Sequence, residues 1–387
     1  PASRLAYARR GATFPGAPDG GAVDAVYHAL IEAHRVVVVT GRGGVDPQSC
    51  LELGRFAERF GAIVTNGCKP TSSYQCISYD DALYSPRRVL AGADLVIVLE
   101  CEVPWIAGVD DPPADATVVV VDADPVTARV TLLDLPASRR LVSDTSRFCR
   151  ALLAWADAHD TNDATEVFGR RREAVTADVA RWRAEDRALP ESRYRTDLID
   201  PDWAAMAVSD ALPEDAIVFD DTVYSAPVRR YSRLRGPAQY FCNNTTAGGW
   251  GVGAALGGAL AQSERPVVSV IGDGFWTYGV PTSALWVARA CRAPFLGIVF
   301  QNNSYNTGTE EVDRLHPTGY ARRAGFPGGY FPQPVDFAME AGATGAWGMN
   351  VTRAEDLTGA IANGIERVRA GQAAVIAIQL PRLLTDF

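Results

Sequence analysis

Short apolar runs rich in valine and isoleucine alternate with segments of helical periodicity along most of the chain. In the first half, strands are predicted at 36–40, 62–64, 95–99 and 117–121. A helix is predicted over Pro47–Phe60, with Leu51, Phe56 and Phe60 facing a core. The strands are continuously apolar, which is typical of parallel strands covered by helices on both faces.

A charge-dense segment at 160–195 interrupts this alternation. Val175, Val179 and Trp182 recur in it at helical spacing, which predicts one long linker helix. Acidic residues lie on both sides of the three consecutive arginines at 170–172, so we expect these arginines to lie on a solvated face rather than to bind a partner.

The second half repeats the alternation around a glycine-rich stretch at 247–258. Strands are predicted at 217–219, 267–271, 295–300 and 373–379, and helices at 203–211, 281–292 and 354–370. The predicted fold class is therefore α/β, with two doubly wound parallel-sheet domains. We expect a linker at 1–20, a first domain at 21–158, the linker helix at 159–196 and a second domain at 197–387.

The composition agrees with this organisation. A chain of 387 residues suits two domains, at roughly 150 residues per domain. The net charge of −9 provides no basic surface for a phosphate backbone, so we expect no nucleic-acid partner. The seven cysteines form no CxxC pair, and no apolar run approaches the ~20 residues that span a bilayer. We therefore expect a cytoplasmic protein that has no membrane anchor.

Polar residues follow two neighbouring strands of the second half. The turn Gly272-Asp273-Gly274 ends one strand, and Asn302-Asn303 ends the next. A glycine-flanked aspartate after a strand is usually only a turn. In a right-handed βαβ unit, however, both strand ends open at one edge of the sheet, so Asp273 and one asparagine converge. Carboxylate and amide oxygens suit Mg²⁺, whose remaining ligands are often phosphates, and we expect Mg²⁺ and a diphosphate here.

This arrangement resembles the signature of the thiamine diphosphate enzymes, most closely the acetolactate synthase and benzoylformate decarboxylase group. Further similar segments are Ala93 to Leu99, Val103-Pro104-Trp105, Val121 to Pro125 and the glycine-rich segment Gly249 to Gly257. They imply that the first domain corresponds to the central domain of that family and the second to its diphosphate-binding domain. Between Gly274 and Asn302 lie 27 residues, more than is usual, with the extra length near 276–282.

The resemblance implies a set of site residues. Mg²⁺ would be coordinated by Asp273, Asn303 and the carbonyl of Tyr305. Gly274 and Phe275 would offer backbone N–H groups to the diphosphate, and the loop Asp221 to Tyr224 would close over it. The implied cofactor-binding residues are Gly272, Asp273, Gly274, Phe275, Thr222, Val223, Tyr224, Gly248, Gly249, Trp250, Asn303, Tyr305 and Asn306.

Two departures from the family pattern shape the functional hypothesis. Gly248 stands where the family places a bulky aliphatic residue that bends the cofactor. The pyrimidine-binding domain, with its activating glutamate, is outside the resemblance. We therefore expect a second polypeptide to supply that domain, in a hetero-oligomer with at least two copies of each chain. Together they would decarboxylate a small 2-oxo acid, and either release an aldehyde or ligate the intermediate to a second carbonyl.

Two other functions remain open on the sequence. The chain could be a non-catalytic scaffold or regulatory subunit of such a complex. It could also be a nicotinamide-dependent dehydrogenase, although the turn at 41–44 lacks the full GxGxxG spacing and favours an ordinary βα turn. Glu310 and Glu311 are expected to be solvated or gating residues, and His316 is expected to have a surface or capping role.

Overall fold

A computed structural model describes residues 15–42, 47–66, 86–126, 135–222, 227–234, 236–243, 247–331 and 333–382. Its strands form one sheet of five and one of six, and every strand pairing within them is parallel. The predicted fold class, two parallel-sheet α/β domains, is confirmed. None of the helices in the described ranges is both long and apolar enough to cross a membrane.

The first sheet has the strand order β2-β1-β3-β4-β5. Its strands are β1 (Val36–Thr40), β2 (Ile63–Asn66), β3 (Leu95–Leu99), β4 (Thr117–Asp122) and β5 (Arg139–Val142). The helices of this part are α1 (Gly20–Glu32), α2 (Pro47–Phe60), α3 (Pro86–Leu90) and α4 (Thr145–His159). The three central strands are almost wholly buried, as their continuous apolar sequence predicts.

The prediction for α2 was wrong at Leu51. Phe56 and Phe60 are fully buried, but Leu51 is 47% exposed. Residues four apart share a helix face, whereas Leu51 precedes Phe56 by five residues and therefore points about 140° away from it. The core positions on this face also include Leu53, which contributes to the same cluster.

The long helix α5 (Asn162–Ser192) follows the first sheet, as predicted. Val175, Val179 and Trp182 are buried in a cluster with residues of that sheet. The prediction of a solvated face at 170–172 was wrong for Arg171, which is only 5% exposed. Its guanidinium donates hydrogen bonds to main-chain carbonyls at the ends of α1 and α2, which take the place of water. The local charge pattern does not predict partners so far away in the sequence.

The second sheet has the order β10-β11-β9-β8-β6-β7. Its strands are β6 (Ile217–Asp221), β7 (Tyr240–Cys242), β8 (Val267–Gly272), β9 (Leu296–Gln301), β10 (Trp347–Val351) and β11 (Ala374–Gln379). Its helices are α6 (Pro201–Ala211), α7 (Pro227–Tyr231), α8 (Trp250–Ala261), α9 (Asp273–Tyr278), α10 (Pro281–Cys291), α11 (Asn306–Leu315), α12 (Tyr320–Arg323), α13 (Phe337–Thr344) and α14 (Ala354–Arg369).

Helices cover both faces of this sheet. Buried residues of α6, α7 and α14 form one cluster with the strands, and those of α8, α10 and α13 form another. Strands β8 and β9 are parallel neighbours, with Gly272 opposite Phe300, so their carboxyl ends meet at one edge as predicted. The segment at 276–282, expected to be extra length, contains the end of the short helix α9 and the beginning of α10.

Candidate functional site

Asp273 and Asn303 lie in direct contact at the carboxyl edge of the second sheet. Asp273 is the first residue of α9 and is 3% exposed. Its Oδ1 accepts a hydrogen bond from the N–H of Gly274 at 2.8 Å, and its Oδ2 accepts one from the N–H of Asn303 at 2.6 Å. The two motifs that the sequence analysis singled out are thus joined by a hydrogen bond.

The environment of Asp273 opposes its ionisation. Burial raises the pKa of its carboxyl to about 6, although backbone N–H groups of Asn303, Gly274 and Asn302 act in the opposite direction. A cation at this carboxylate would stabilise the ionised form, because opposite charges at short range favour ionisation. A metal ion bound at this carboxylate would therefore lower its pKa.

Asn303 is held in a conformation that few residues adopt. Its φ is +57°, in the left-handed region that asparagine tolerates better than most side chains. Gln301 Nε2 donates to Asn303 Oδ1 at 3.0 Å and to the carbonyl of Val335 at 2.9 Å. An amide oxygen has two lone pairs, so Asn303 Oδ1 can accept this bond and still coordinate a cation.

The other asparagine has a different role. Asn302 Oδ1 accepts hydrogen bonds from both the N–H and the hydroxyl of Ser304, each at 3.0 Å. This closes a local turn of the kind that asparagine favours. Both asparagines act on Asp273 through their backbone N–H groups, and the N–H of Asn303 makes the 2.6 Å hydrogen bond.

Tyr305 contributes through its ring as well as its backbone. A Cβ on Gly274 would lie 2.7 Å from Tyr305 Cε1, so the ring covers the backbone next to Asp273. The ring stacks on Tyr278 at 5.8 Å and meets Phe331 edge-on at 4.8 Å. The Tyr305 carbonyl, implied as a metal ligand, accepts hydrogen bonds from the N–H and the hydroxyl of Thr309, both at 3.1 Å.

Asp221, at the end of β6, holds the glycine-rich turn in place. It is 1% exposed, and its Oδ2 accepts hydrogen bonds from the N–H groups of Gly249 and Gly251, both at 2.9 Å. Its Oδ1 accepts a third, from Asn243 Nδ2 at 2.9 Å. Gly249 has a φ of +96°, which requires glycine. From the sequence, Asp221 was predicted only as part of a loop. Its position as an acidic residue at the end of a strand was the one signal that could have indicated this role.

Asp220, beside it, fixes Thr222. Its Oδ1 accepts from the Thr222 N–H at 2.9 Å and hydroxyl at 2.6 Å, and its Oδ2 accepts from the Tyr240 hydroxyl at 2.7 Å. Burial raises the pKa of the Asp220 carboxyl, against the effect of these bonds. Of the loop expected to close over the diphosphate, Val223 and Tyr224 lie outside the described residues.

Trp276 anchors α9 in the protein interior. It is fully buried, and a Cβ on Gly297 of β9 would lie 2.6 Å from its ring. The indole Nε1 donates to Glu340 Oε2 at 3.1 Å, and Thr282 Oγ1 donates to Glu340 Oε1 at 2.9 Å. One carboxylate of α13 therefore binds side chains from α9 and α10. No pattern in the sequence predicted this anchor.

The half-buried ring of Phe275 lies against the glycine-rich turn. A Cβ on Gly248 would lie 1.9 Å from Phe275 Cδ1, so a side chain at position 248 and the present ring position exclude each other. Trp250, the first residue of α8, meets Phe219 edge-on at 5.8 Å. The glycine-rich turn and the segment implied to bind the diphosphate are thus in contact through Gly248 and Phe275.

The remaining predicted residues lie at the periphery. Asn306 is buried at the start of α11. On the same helix Glu311 is exposed and pairs with Arg314, as predicted for a solvated residue. His316 is exposed at the C-terminal end of α11, in agreement with a surface or capping role. In the turn after β1, Arg42 pairs with Glu102 at 3.4 Å, whereas Gly43 and Gly44 lie outside the described residues.

Within the described ranges, no group of three or more histidine, cysteine, aspartate and glutamate side chains is placed to hold a metal ion. A site built on Asp273 thus needs neutral oxygens as its further protein ligands. Asn303 Oδ1 and the Tyr305 carbonyl are oxygens of this kind, and the donor set fits Mg²⁺.

Comparison with known proteins identifies the second half of the chain. The model of the thiamine pyrophosphate enzyme C-terminal TPP-binding domain matches residues 222–378. Sulfoacetaldehyde acetyltransferase of Castellaniella defragrans is 26% identical over 95% of this chain and 64% of its own length. Benzoylformate decarboxylase of Pseudomonas aeruginosa is 31% identical over 58% of this chain and 38% of its own length. The chain spans less than two thirds of either relative.

Solved structures share the fold over nearly the whole chain. Benzoylformate decarboxylase from Polynucleobacter necessarius superposes with a TM-score of 0.69 at 19% identity, covering 98% of this chain and 67% of that one. A thiamine diphosphate-dependent 4-hydroxybenzoylformate decarboxylase from Rhodococcus jostii gives 0.70 at 19% identity, covering 96% and 66%. At these identities the likeness concerns the fold.

Proposed function

We propose that this chain, which belongs to the thiamine diphosphate-dependent enzymes, binds the diphosphate of that cofactor and Mg²⁺ between the ends of β8 and β9. The observation that carries the proposal is the 2.6 Å hydrogen bond from the Asn303 N–H to Asp273, inside the segment that matches the cofactor-binding domain. It joins the backbone of Asn303 to the carboxylate of Asp273, so the two motifs meet at one edge of the sheet.

In the proposed site, Asp273 and Asn303 Oδ1 hold Mg²⁺, and the Tyr305 carbonyl is a third ligand once it releases one of its two hydrogen bonds from Thr309. Mg²⁺ keeps phosphate and water oxygens in its other positions. The Gly274 N–H donates to Asp273 Oδ1 in this structure. Its use for the diphosphate therefore requires Asp273 Oδ1 to turn towards the metal. The N–H of Phe275 is the second proposed donor.

We propose decarboxylation of a small 2-oxo acid as the reaction, followed by release of an aldehyde or by ligation to a second carbonyl. Bound thiamine diphosphate supplies the electron sink that decarboxylation needs. The chain's own residues bind and orient: Asp221 fixes the glycine-rich turn, and Trp276 fixes the helix that begins with Asp273. The name of one relative, a decarboxylase, supports the decarboxylation step, and the name of the other, an acetyltransferase, supports transfer of an acyl group.

The activating glutamate is proposed to come from a second polypeptide that carries the pyrimidine-binding domain, in a hetero-oligomer with at least two copies of each chain. Exposed apolar side chains near the site support a protein partner. Tyr278, Val280 and Trp286 are 58%, 59% and 65% exposed, on α9, the following turn and α10. Aromatic residues are enriched in protein interfaces, and contiguous exposed apolar surface marks such sites.

Substitution of Asp273 tests the metal and cofactor site. We expect Asp273→Ala to abolish Mg²⁺-dependent binding of thiamine diphosphate by the full-length protein, measured by isothermal titration calorimetry, and 2-oxo acid turnover in the complex with its partner. The control is Asp157→Ala, because the Asp157 side chain is 79% exposed on α4. Unchanged cofactor binding by Asp273→Ala would refute the proposed site.

The partner proposal has its own test. The full-length protein is purified after co-expression with a candidate partner, and bound thiamine diphosphate and 2-oxo acid turnover are measured with and without that chain. Turnover of the 2-oxo acid by the first chain alone would refute the requirement for a second polypeptide. A scaffold subunit, the alternative, is indicated if the complex is active and Asp273→Ala leaves its activity unchanged.

A further inference from the structure

We infer that Phe275 is a positioning residue, whose ring supports the middle of the bound cofactor from the volume that a side chain at position 248 would otherwise occupy. The inference rests on the proposed function, because it assumes a ligand that extends from Asp273 to the glycine-rich turn. It assigns the Phe275 side chain a role apart from its backbone N–H.

The first observation is that a side chain at position 248 and the present ring of Phe275 cannot both be accommodated. A Cβ on Gly248 would lie 1.9, 2.1 and 2.3 Å from Cδ1, Cε1 and Cγ of Phe275. Carbon atoms in contact are separated by about 3.5–4.0 Å, so the ring fills the place of any side chain at 248. The apolar side chain at this point of the site therefore belongs to α9 and not to the glycine-rich turn.

The second observation is that the backbone around Phe275 is fixed on both sides. Asp273, two residues before it, accepts the Asn303 N–H, and Trp276, next to it, is fully buried and bonded to Glu340. With its flanking residues held in this way, the backbone from which the Phe275 ring projects is fixed in the site.

The third observation concerns the spacing of the two segments. A Cβ on Gly249 would lie 2.8 Å from the N atom of Gly279, and a Cβ on Gly279 would lie 3.0 Å from the carbonyl oxygen of Gly249. The end of α9 and the glycine-rich turn therefore touch backbone to backbone. A ligand that reaches from Asp273 to this turn has to pass the half-buried ring of Phe275.

The test separates the ring-bearing part of the cofactor from its diphosphate. Affinities for thiamine diphosphate and for inorganic pyrophosphate are measured by calorimetry in the presence of Mg²⁺ on the full-length protein. We expect Phe275→Ala to weaken thiamine diphosphate binding at least about tenfold, from loss of apolar contact, and to change pyrophosphate binding less than about twofold. An equal loss for both ligands, or no loss for thiamine diphosphate, would overturn the inference.

A double variant tests whether an apolar side chain at position 248 can replace the ring of Phe275. In Phe275→Ala/Gly248→Val the apolar group returns to the glycine-rich turn, and we expect thiamine diphosphate affinity to recover to within about fivefold of the wild type. A double variant that binds no better than Phe275→Ala overturns the inference. Phe241→Ala is the matched control, since Phe241 is also half-buried against the same core cluster; it should lower thermal stability without selective loss of thiamine diphosphate.

Thermal unfolding without ligand keeps the two proposals apart. Gly248→Val should lower the melting temperature in the wild-type background and have a clearly smaller effect in the Phe275→Ala background, because the clash is with that ring. An equal effect in both backgrounds would overturn the inference that the Phe275 ring occupies the space of a side chain at position 248. If this coupling is found but the wild type binds pyrophosphate and not thiamine diphosphate, the proposed function fails while the packing relationship stands.

Discussion

Asp221 Oδ2 accepts a hydrogen bond from the N–H of Gly251 at 2.9 Å, across 30 positions of the sequence. The same oxygen accepts the N–H of Gly249, and the other carboxylate oxygen accepts Asn243 Nδ2. One buried side chain at the end of β6 thus satisfies three donors and fixes the entrance of α8. The geometry of the glycine-rich turn depends on this carboxylate.

Removing that carboxylate should destabilise the protein and the turn together. Asp221→Ala leaves the N–H groups of Gly249 and Gly251 without their acceptor, whereas Asn243 Nδ2 keeps the Ala247 carbonyl; each unmatched donor costs about 1–3 kcal/mol when the group stays buried. We expect the free energy of unfolding, measured by urea denaturation, to fall by about 2 kcal/mol or more. Asp215→Ala is the control, because Asp215 is a half-exposed partner of Arg369; a similar loss there would contradict the explanation.

Gly297 should not tolerate even a methyl group. In Gly297→Ala the new Cβ would lie 2.6 Å from the Trp276 ring, and overpacking of this kind costs about 1–3 kcal/mol. Gly359 of α14 has open space at the same position, so Gly359→Ala should instead stabilise the protein by about 0.5–1 kcal/mol through helix propensity. Differential scanning calorimetry should give shifts of opposite sign, and shifts of one sign would refute this packing at Trp276.

The stability of the metal-free protein should depend on pH through Asp273. Its folded pKa of about 6 lies above the ordinary value of 3.8, so the fold favours the protonated form. Relative to Asp273→Asn, the wild type should lose stability as the pH rises from about 4 to 6, by up to roughly 3 kcal/mol at neutral pH. Urea unfolding across this range in the presence of a chelator measures the difference. A difference that is constant with pH would disprove the assignment.

Mg²⁺ binding should be linked to the same proton. A metal-bound carboxylate must be ionised, so binding below pH 6 releases the proton of Asp273. We expect the affinity for Mg²⁺ to increase between pH 5 and 7, and proton release, measured by calorimetry in two buffers of different ionisation enthalpy, to decrease over the same range. Proton release that does not change with pH would place the metal elsewhere.

Arg171 should be far more important for stability than its neighbour. Its guanidinium donates to the carbonyls of Leu30 at 2.6 Å, Ala33 at 2.5 Å and Phe60 at 2.8 Å, at the C-terminal ends of α1 and α2. Arg171→Met should lower the free energy of unfolding by about 3–5 kcal/mol, because these buried carbonyls lose their donor. Arg170→Met, whose side chain is 70% exposed on the same helix, should change it by no more than about 0.5 kcal/mol. Equal effects would contradict the role of burial.

The sequence predicted those features that depend on local pattern. Continuous apolar runs located eight of the eleven strands in the described ranges to within one or two residues, and the βαβ rule placed Asp273 beside Asn303. Strands β5, β7 and β10, which lack such runs, were not predicted. Sequence patterns failed for side chains whose partners lie far along the chain. Arg171 is buried against main-chain carbonyls more than 100 positions away, and that of Phe60 is 111 positions away. No helical pattern contains this information.

Short elements were also beyond the pattern. The six residues of α9 are less than two helical turns, so they show no periodicity from which a helix could be recognised. The same holds for the acceptors of the glycine-rich turn, since Asp221 gives no local sign that it binds Gly249 and Gly251. The residues that hold the site in place are therefore less visible in the sequence than those expected to bind the ligand.

Glu340 sets a limit on how this site can change during evolution. Its Oε2 accepts the Trp276 indole N–H, so loss of Glu340 leaves a donor in the protein interior without its acceptor, whereas the bond from the exposed Thr282 hydroxyl can be replaced by water. Relatives with tryptophan at the position of Trp276 should therefore carry an acceptor at 340, while position 282 is free to vary. Positions 276 and 340 form one inherited pair, and substitutions in this lineage should arrive there together.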